Sequence, residues 1–276
     1  MLKRVATTIV GLPIVIFAVN FGGWLLLLMC LVMSLTGLRE LYKVLSKEDK
    51  PIHMAGYIFT IGCYLSIQIF GYGYWLLIGI TIFIITVQTC MVIFFQRIPI
   101  KDCIVTVYGF LYVPFLFSFI LLVRQHQFGI HYVWLVFTSA FGCDTFAYLT
   151  GVKLGRNKLT NTPSPKKSVE GLIGGIAGAL LVGWLYGFFV SRFSGAEPYA
   201  INNIMLNSVI ISFFGAIFCI IGDMAASAIK RYAKVKDFGR FFPGHGGVLD
   251  RVDGLIFVAP IVYMVMRILL SPSAYV

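Results

Sequence analysis

Apolar runs close to the ~20 residues that carry an α-helix across a bilayer recur from one end of this chain to the other. They lie near 5–21, 23–41, 52–71, 73–95, 103–124, 131–152, 169–191, 203–225 and 252–270. In hydrocarbon every backbone N–H and C=O must be paired within its own segment, so such runs are read as transmembrane helices. Hydrophobic residues make up 59% of the 276 positions, which excludes an ordinary soluble domain. The sequence therefore predicts an all-α, polytopic integral membrane protein of about nine transmembrane helices. The junctions at 22 and 72 are either tight turns or kinks within longer helices.

Charge orients the spans, because Lys and Arg collect in short cytoplasmic loops. With the N-terminus inside, 19 of the 22 Lys and Arg fall on one side. Arg124 and Arg192 fall on the other, and Arg267 lies near the external end of the last span. A cytoplasmic N-terminus follows. The net charge of +11 sits in loops between spans, so its partners are the lipid bilayer's anionic headgroups and phosphate-bearing substrates, with no nucleic acid expected. Lys3, Arg4 and the apolar run behind them resemble a secretory signal, but no small-x-small site precedes NFGGW, which predicts an uncleaved first span. Cys30, Cys63, Cys90, Cys103, Cys143 and Cys219 show no metal-binding spacing and read as buried thiols.

Two parts are expected: scaffold helices over 1–130 and a catalytic membrane domain over 131–276 whose active site faces the cytoplasm. In the first, the i,i+3 pair Glu40 and Lys43 is most simply a solvated helix surface. In the second, Asp144 falls inside a span, where an ionised side chain costs a few kcal/mol and needs a partner or a job. The loop GVKLGRNKLTNTPSPKKSVEG follows, with Ser168 as helix N-cap and Glu170 in the first turn. Its Lys166 and Lys167 serve either as positive-inside charges or as phosphate ligands.

The densest polar block lies between Asp223 and Asp253. Asp223, Ser227, Lys230 and Lys234 fall at i, i+4, i+7 and i+11, one face of a single helix. PGHGG follows, with glycines that let backbone N–H groups turn toward an anion. Asp250 and Asp253 are spaced i,i+3 on the first turn of the last span. Carboxylates among so many cations suit a polyanionic substrate and a hard metal such as Mg2+, held by one or two carboxylates plus phosphate oxygens. Zinc is disfavoured by the scattered Cys and His, and no GxxxxGK[ST] loop is present.

Ser227, Lys230, Arg231, Lys236, Asp237, Gly239, Pro243, His245, Gly246, Gly247, Asp250, Arg251 and Asp253 fill the pattern S-x-x-K-R-x(4)-K-D-x-G-x(3)-P-x-H-G-G-x-x-D-R-x-D. That pattern resembles the signature of the phosphatidate cytidylyltransferases, the CDP-diglyceride synthases of bacteria. Asp144 with Ala147, Tyr148 and Gly151, SPKKS with Glu170 and Gly171, and Gly222 with Asp223 are similar to the family too. Ser168 stands where the family often has Thr, and the clear likeness runs over about 140–260.

The resemblance implies a homodimer in the bacterial inner membrane that joins CTP to phosphatidic acid, giving CDP-diacylglycerol and pyrophosphate with Mg2+. Carried onto these positions, it makes Asp223, Asp250 and Asp253 the metal ligands. Lys230, Arg231, Lys236 and Arg251 become phosphate clamps among the catalytic residues, beside a His245 that protonates pyrophosphate, orients a phosphate or bonds Asp250. Asp144, Lys166, Lys167, Ser227, Gly246 and Gly247 fall to substrate binding. The alternatives are a transporter for an anionic substrate, against which the missing internal repeats argue, and another CTP-using lipid enzyme such as a polyprenol kinase.

Overall fold

A computed structural model of the chain describes residues 2–46, 50, 52–71, 73–160, 162–193, 203–241 and 246–270. The helices run α1 Leu2–Phe21, α2 Gly23–Ser46, α3 His53–Phe70, α4 Tyr74–Ile93, α5 Ile100–Phe110, α6 Phe119–Gln125, α7 Gly129–Leu154, α8 Val169–Phe193, α9 Ile204–Tyr232 and α10 Leu249–Leu270. Among the described residues there is no β-strand, and Lys158 and Ser168 form an isolated antiparallel bridge. Among the described residues, eight helices are long and apolar enough to cross a membrane, with α5 and α6 joined into one span over Ile100–Gln125. The ninth expected span, 5–21, corresponds to α1, of which Gly11–Phe21 is an apolar helix among the described residues. The fold is the all-α polytopic membrane architecture expected from the apolar runs.

The joint at 22 is a true break. Gly22 adopts φ 70° and Gly23 φ 53°, left-handed values that glycine adopts without strain. Arg124 closes the end of α1 by donating from Nε to the Val19 carbonyl at 3.0 Å and from Nη2 to the Asn20 carbonyl at 2.9 Å. A Cβ on Gly22 would stand 3.0 Å from that guanidinium. Between α5 and α6 a π-helical turn, Leu111–Phe115, carries Pro114. Proline donates no N–H, and the widened turn accommodates it while the Tyr64 hydroxyl donates to the Pro114 carbonyl at 3.2 Å.

By packing, the chain divides into two units: residues 1–125 with 232–252, and 126–231 with 253–276. In the first, Tyr42 is fully buried between α3 and α5, where Gly56 and Gly109 leave room for its ring. Its hydroxyl donates to the Thr106 carbonyl at 2.9 Å, and His53 stacks on it at a centroid distance of 4.2 Å. In the second, α7 and α8 pack closely because Gly171, Gly174, Gly175 and Gly178 form one small-residue face of α8 against Ala147, Thr150, Cys143 and Phe146. Spacing of i, i+3, i+4, i+7 with small side chains is how membrane helices approach without a hydrophobic drive between them. Ser139 donates to Ser212 at 3.3 Å and Asn207 to the Tyr132 hydroxyl at 3.1 Å, tying α7 to α9.

Candidate active site

Within the second unit, Asp144 on α7, Asp223 on α9 and Asp253 on α10 are close enough to interact electrostatically with one another. Lys167, just before α8, forms an ion pair with Oδ2 of Asp223 and also faces the charge of Asp144. Lys230, two turns along α9 from Asp223, opposes the charge of Asp253. Glycines allow this convergence: a Cβ on Gly222 would stand 2.8 Å from the Asp253 carbonyl oxygen, and one on Gly254 2.8 Å from Cys219 Sγ. That thiol lies 3.7 Å from Asp144 Oδ1. Carboxylates within apolar helices are costly singly, and lysine pairing offsets part of that cost.

The loop before α8 is folded to present Lys167. Leu159 N–H donates to the Lys167 carbonyl at 3.0 Å and Val169 N–H to the Asn157 carbonyl at 2.9 Å. Ser168 caps α8 as expected, its Oγ accepting from Gly171 N–H at 3.1 Å. Glu170 does more than complement the helix dipole. Its carboxylate accepts from Arg156 N–H at 3.2 Å, Asn157 N–H at 3.1 Å and Asn157 Nδ2 at 2.8 Å, clamping the loop onto the first turn of α8. Lys166 is exposed, whereas Lys167 is half-buried in its pair. Ser227 is half-buried, and exposed Arg231 reaches the Pro163 carbonyl at 3.4 Å.

The rest of the signature belongs to the first unit. Asp250 Oδ2 accepts from Phe238 N–H at 2.8 Å and Gly247 N–H at 3.0 Å. Gly246 is left-handed at φ 85°, and a Cβ there would stand 3.0 Å from that same oxygen. Gly247 N–H, expected to face an anion, is thus engaged within the segment. Lys236 and Arg240 line a cavity of about 580 Å3 with Lys43, Asp237 and Phe238. Arg251 is exposed on the first turn of α10. His245 and Pro243 lie outside the described residues.

Two expectations need correction. α9 ends at Tyr232 and Lys234 adopts φ 58°, so the common helix face carries Asp223, Ser227 and Lys230 without Lys234. Glu40 is not a solvated surface residue: its carboxylate accepts from Val248 N–H at 3.0 Å and Leu249 N–H at 2.9 Å. It fits against Gly239 and Gly247, where any Cβ would collide with it. Nothing in the local sequence of GLRELYKVLSK pointed to a partner 208 positions away.

Residues 2–269 match the model of the cytidylyltransferase family. The chain belongs to that family. The cytidylyltransferase is 30% identical to the phosphatidate cytidylyltransferase of Staphylococcus saprophyticus over 95% of this chain and 98% of the relative. It is also 30% identical to the protein of that name in Staphylococcus aureus over 95% and 98% of the two chains. With the phosphatidate cytidylyltransferase of Thermotoga maritima it shares 41% identity over 159 residues, 58% of this chain and 57% of that one. As a cytidylyltransferase it is an enzyme, a nucleotidyltransferase that uses CTP.

The carboxylates of this cytidylyltransferase suit a hard cation. Asp144, Asp223 and Asp253 offer oxygen donors among lysines. Among the described residues no group of three or more His, Cys, Asp or Glu side chains is placed to hold a metal ion. Mg2+ characteristically takes one or two carboxylates, with phosphate oxygens and water in its remaining positions.

Proposed function

We propose that the protein is a phosphatidate cytidylyltransferase, converting CTP and phosphatidic acid to CDP-diacylglycerol and pyrophosphate. The observation that carries the reading is the cluster of Asp144, Lys167, Asp223 and Asp253 in a chain of this family. It supplies acceptors for a cation and ammonium groups for phosphate within a body of apolar helices that also suits a lipid substrate.

A phosphate monoester has its second pKa near ~6, so the lipid phosphate is largely a dianion at neutral pH and needs no general base. Its oxygen attacks the α-phosphorus of CTP, a P–O bond forms, and the bond to the pyrophosphate leaving group breaks. The barrier is repulsion between two anions, so catalysis rests on positioning and charge compensation. Lys167 and Lys230 hold phosphate oxygens beside the carboxylates, and Lys236, Arg231 and Arg251 add positive charge at the polar ends of the helices. Asp223 and Asp253, with Asp144 beside them, would hold Mg2+, which when bound would neutralise triphosphate charge; Asp250 is assigned to the metal from its place in the signature alone. Ser227 and exposed Lys166 are assigned to substrate, Gly246 and Gly247 to shaping the segment around it.

The one-sided distribution of Lys and Arg supports a cytoplasmic N-terminus and a site on the cytoplasmic face of the bacterial inner membrane. The division of labour, scaffold over 1–130 and chemistry over 131–276, and a homodimer complete the proposal. The direct test is whether purified protein releases pyrophosphate only when CTP and phosphatidic acid are both present. Release from CTP alone would overturn the reading.

A further inference from the structure

Glu40 is the one carboxylate on α2, and neither the charge-compensation mechanism nor the metal assignment uses it. The structure places it at the start of α10, where backbone N–H groups would otherwise lack acceptors. Val248 and Leu249 N–H both donate to it, at 3.0 and 2.9 Å. Val248 and Leu249 are themselves buried, as is Phe238, so the segment is anchored by apolar contacts around a charged knot. Gly239 and Gly247 flank the carboxylate from two turns of chain, each lacking the Cβ that would displace it. Asp250 completes the knot by accepting from Phe238 and Gly247 N–H.

Two acidic groups therefore satisfy four backbone donors in a segment that carries Lys236, Arg240 and Arg251. The helix N-terminus, normally an attractive seat for an external anion, is filled by the protein's own carboxylate. Phosphate is left to the cationic side chains, whose placement depends on how the segment is held.

We propose that Glu40 is a positioning residue for cytidylyl transfer: its carboxylate holds residues 236–241 and 246–251 in the geometry that presents Lys236 and Arg251 to the nucleotide phosphates. The assignment rests on the reaction proposed above. Glu40 touches neither substrate and acts through the backbone of Val248 and Leu249. Glu40→Gln keeps the size of the side chain but turns an NH2 group toward a backbone donor, and Gly239→Ala pushes the carboxylate away from the opposite side.

The experiment uses the whole chain in lipid nanodiscs, with Glu40→Gln, Gly239→Ala and the double variant. Steady-state kinetics are measured with CTP varied at saturating phosphatidic acid, and amide exchange is followed by mass spectrometry. Losing a charge-assisted contact predicts a KM for CTP raised roughly tenfold in Glu40→Gln, with kcat within about threefold of the parent. Peptides covering 246–250 should exchange about tenfold faster, and peptides from α7 and α8 should not change. Gly239→Ala should show the same pattern, and the double variant should be no worse than the poorer single by more than about twofold, because both remove one interaction.

An unchanged KM with kcat reduced in step with the folded fraction would overturn the positioning role, as would unchanged exchange at 246–250 or additive effects in the double variant. If Glu40→Gln does not fold, Gly239→Ala alone decides between these outcomes. A parent protein that turns over no CTP would refute the reaction itself. Turnover by the parent with an unchanged KM in both variants would refute only the role of Glu40.

Discussion

Lys167 and Asp223 form an ion pair between the loop before α8 and the middle of α9, and each side chain remains about a quarter exposed, at 28% and 27%. The pair distinguishes two adjacent lysines that the sequence presents as equivalent. Lys166 is exposed beside it and Lys167 points to the carboxylates.

Lys167→Gln should accordingly lower kcat/KM by roughly ten- to hundredfold, the worth of one charge-assisted contact, while Lys166→Gln, which removes an exposed and solvent-screened substrate contact, should cost only about threefold. Both proteins should insert and fold, since Lys153, Arg156 and Lys158 keep the loop basic. Kinetics with CTP and phosphatidic acid varied separately will show which substrate Lys167 contacts. Equal losses in the two variants would contradict the structural distinction.

The carboxylates can be separated by charge and by hydrogen bonding. Asp223→Asn should reduce turnover by about a hundredfold, a size like that of removing one strong electrostatic contributor. Asp250→Asn retains an oxygen that accepts from Phe238 and Gly247 N–H, so a merely structural Asp250 would tolerate it. A metal-binding Asp250 should show a loss of about a hundredfold there too, with amide exchange at Gly247 unchanged. Near-normal turnover of Asp250→Asn, with activity lost only in Asp250→Ala, would confine Asp250 to holding the segment.

The membrane architecture was legible because apolar runs and their lengths are local properties: α2, α3, α4 and α7 through α10 cover the spans read from the chain. Ser168 was legible as a cap for the same reason, a hydroxyl just before an apolar helix. Asp144 and Asp223 stood out as acids inside hydrocarbon. Glu40 was not legible, since its i,i+3 neighbour Lys43 offered a local explanation and its true partners are backbone groups far along the chain. Glu170 was seen only as a helix-terminal charge, because the carboxylate's reach back to Arg156 and Asn157 depends on how the loop folds. The end of α9 before Lys234 was missed since helical spacing alone does not mark where the helix stops.

Orientation is tested by single cysteines at Arg156, Arg240 and Ala196 in a background lacking the six native cysteines. With the N-terminus inside, an impermeant thiol reagent should reach positions 156 and 240 only after the membrane is opened, and position 196 in intact cells. Labelling of 240 in intact cells would place the segment on the wrong side for cytoplasmic CTP.

The proposed reaction transfers the α-phosphoryl group of CTP, with its nucleoside, to a lipid phosphate. It is tested most directly by incubating purified protein with phosphatidic acid, Mg2+ and CTP labelled separately at the α and γ phosphorus. The α-label should enter the lipid fraction in step with release of γ-label as pyrophosphate, one for one. Entry of γ-label into lipid, with CDP as the free product, would make the protein a lipid kinase and rule out cytidylyl transfer.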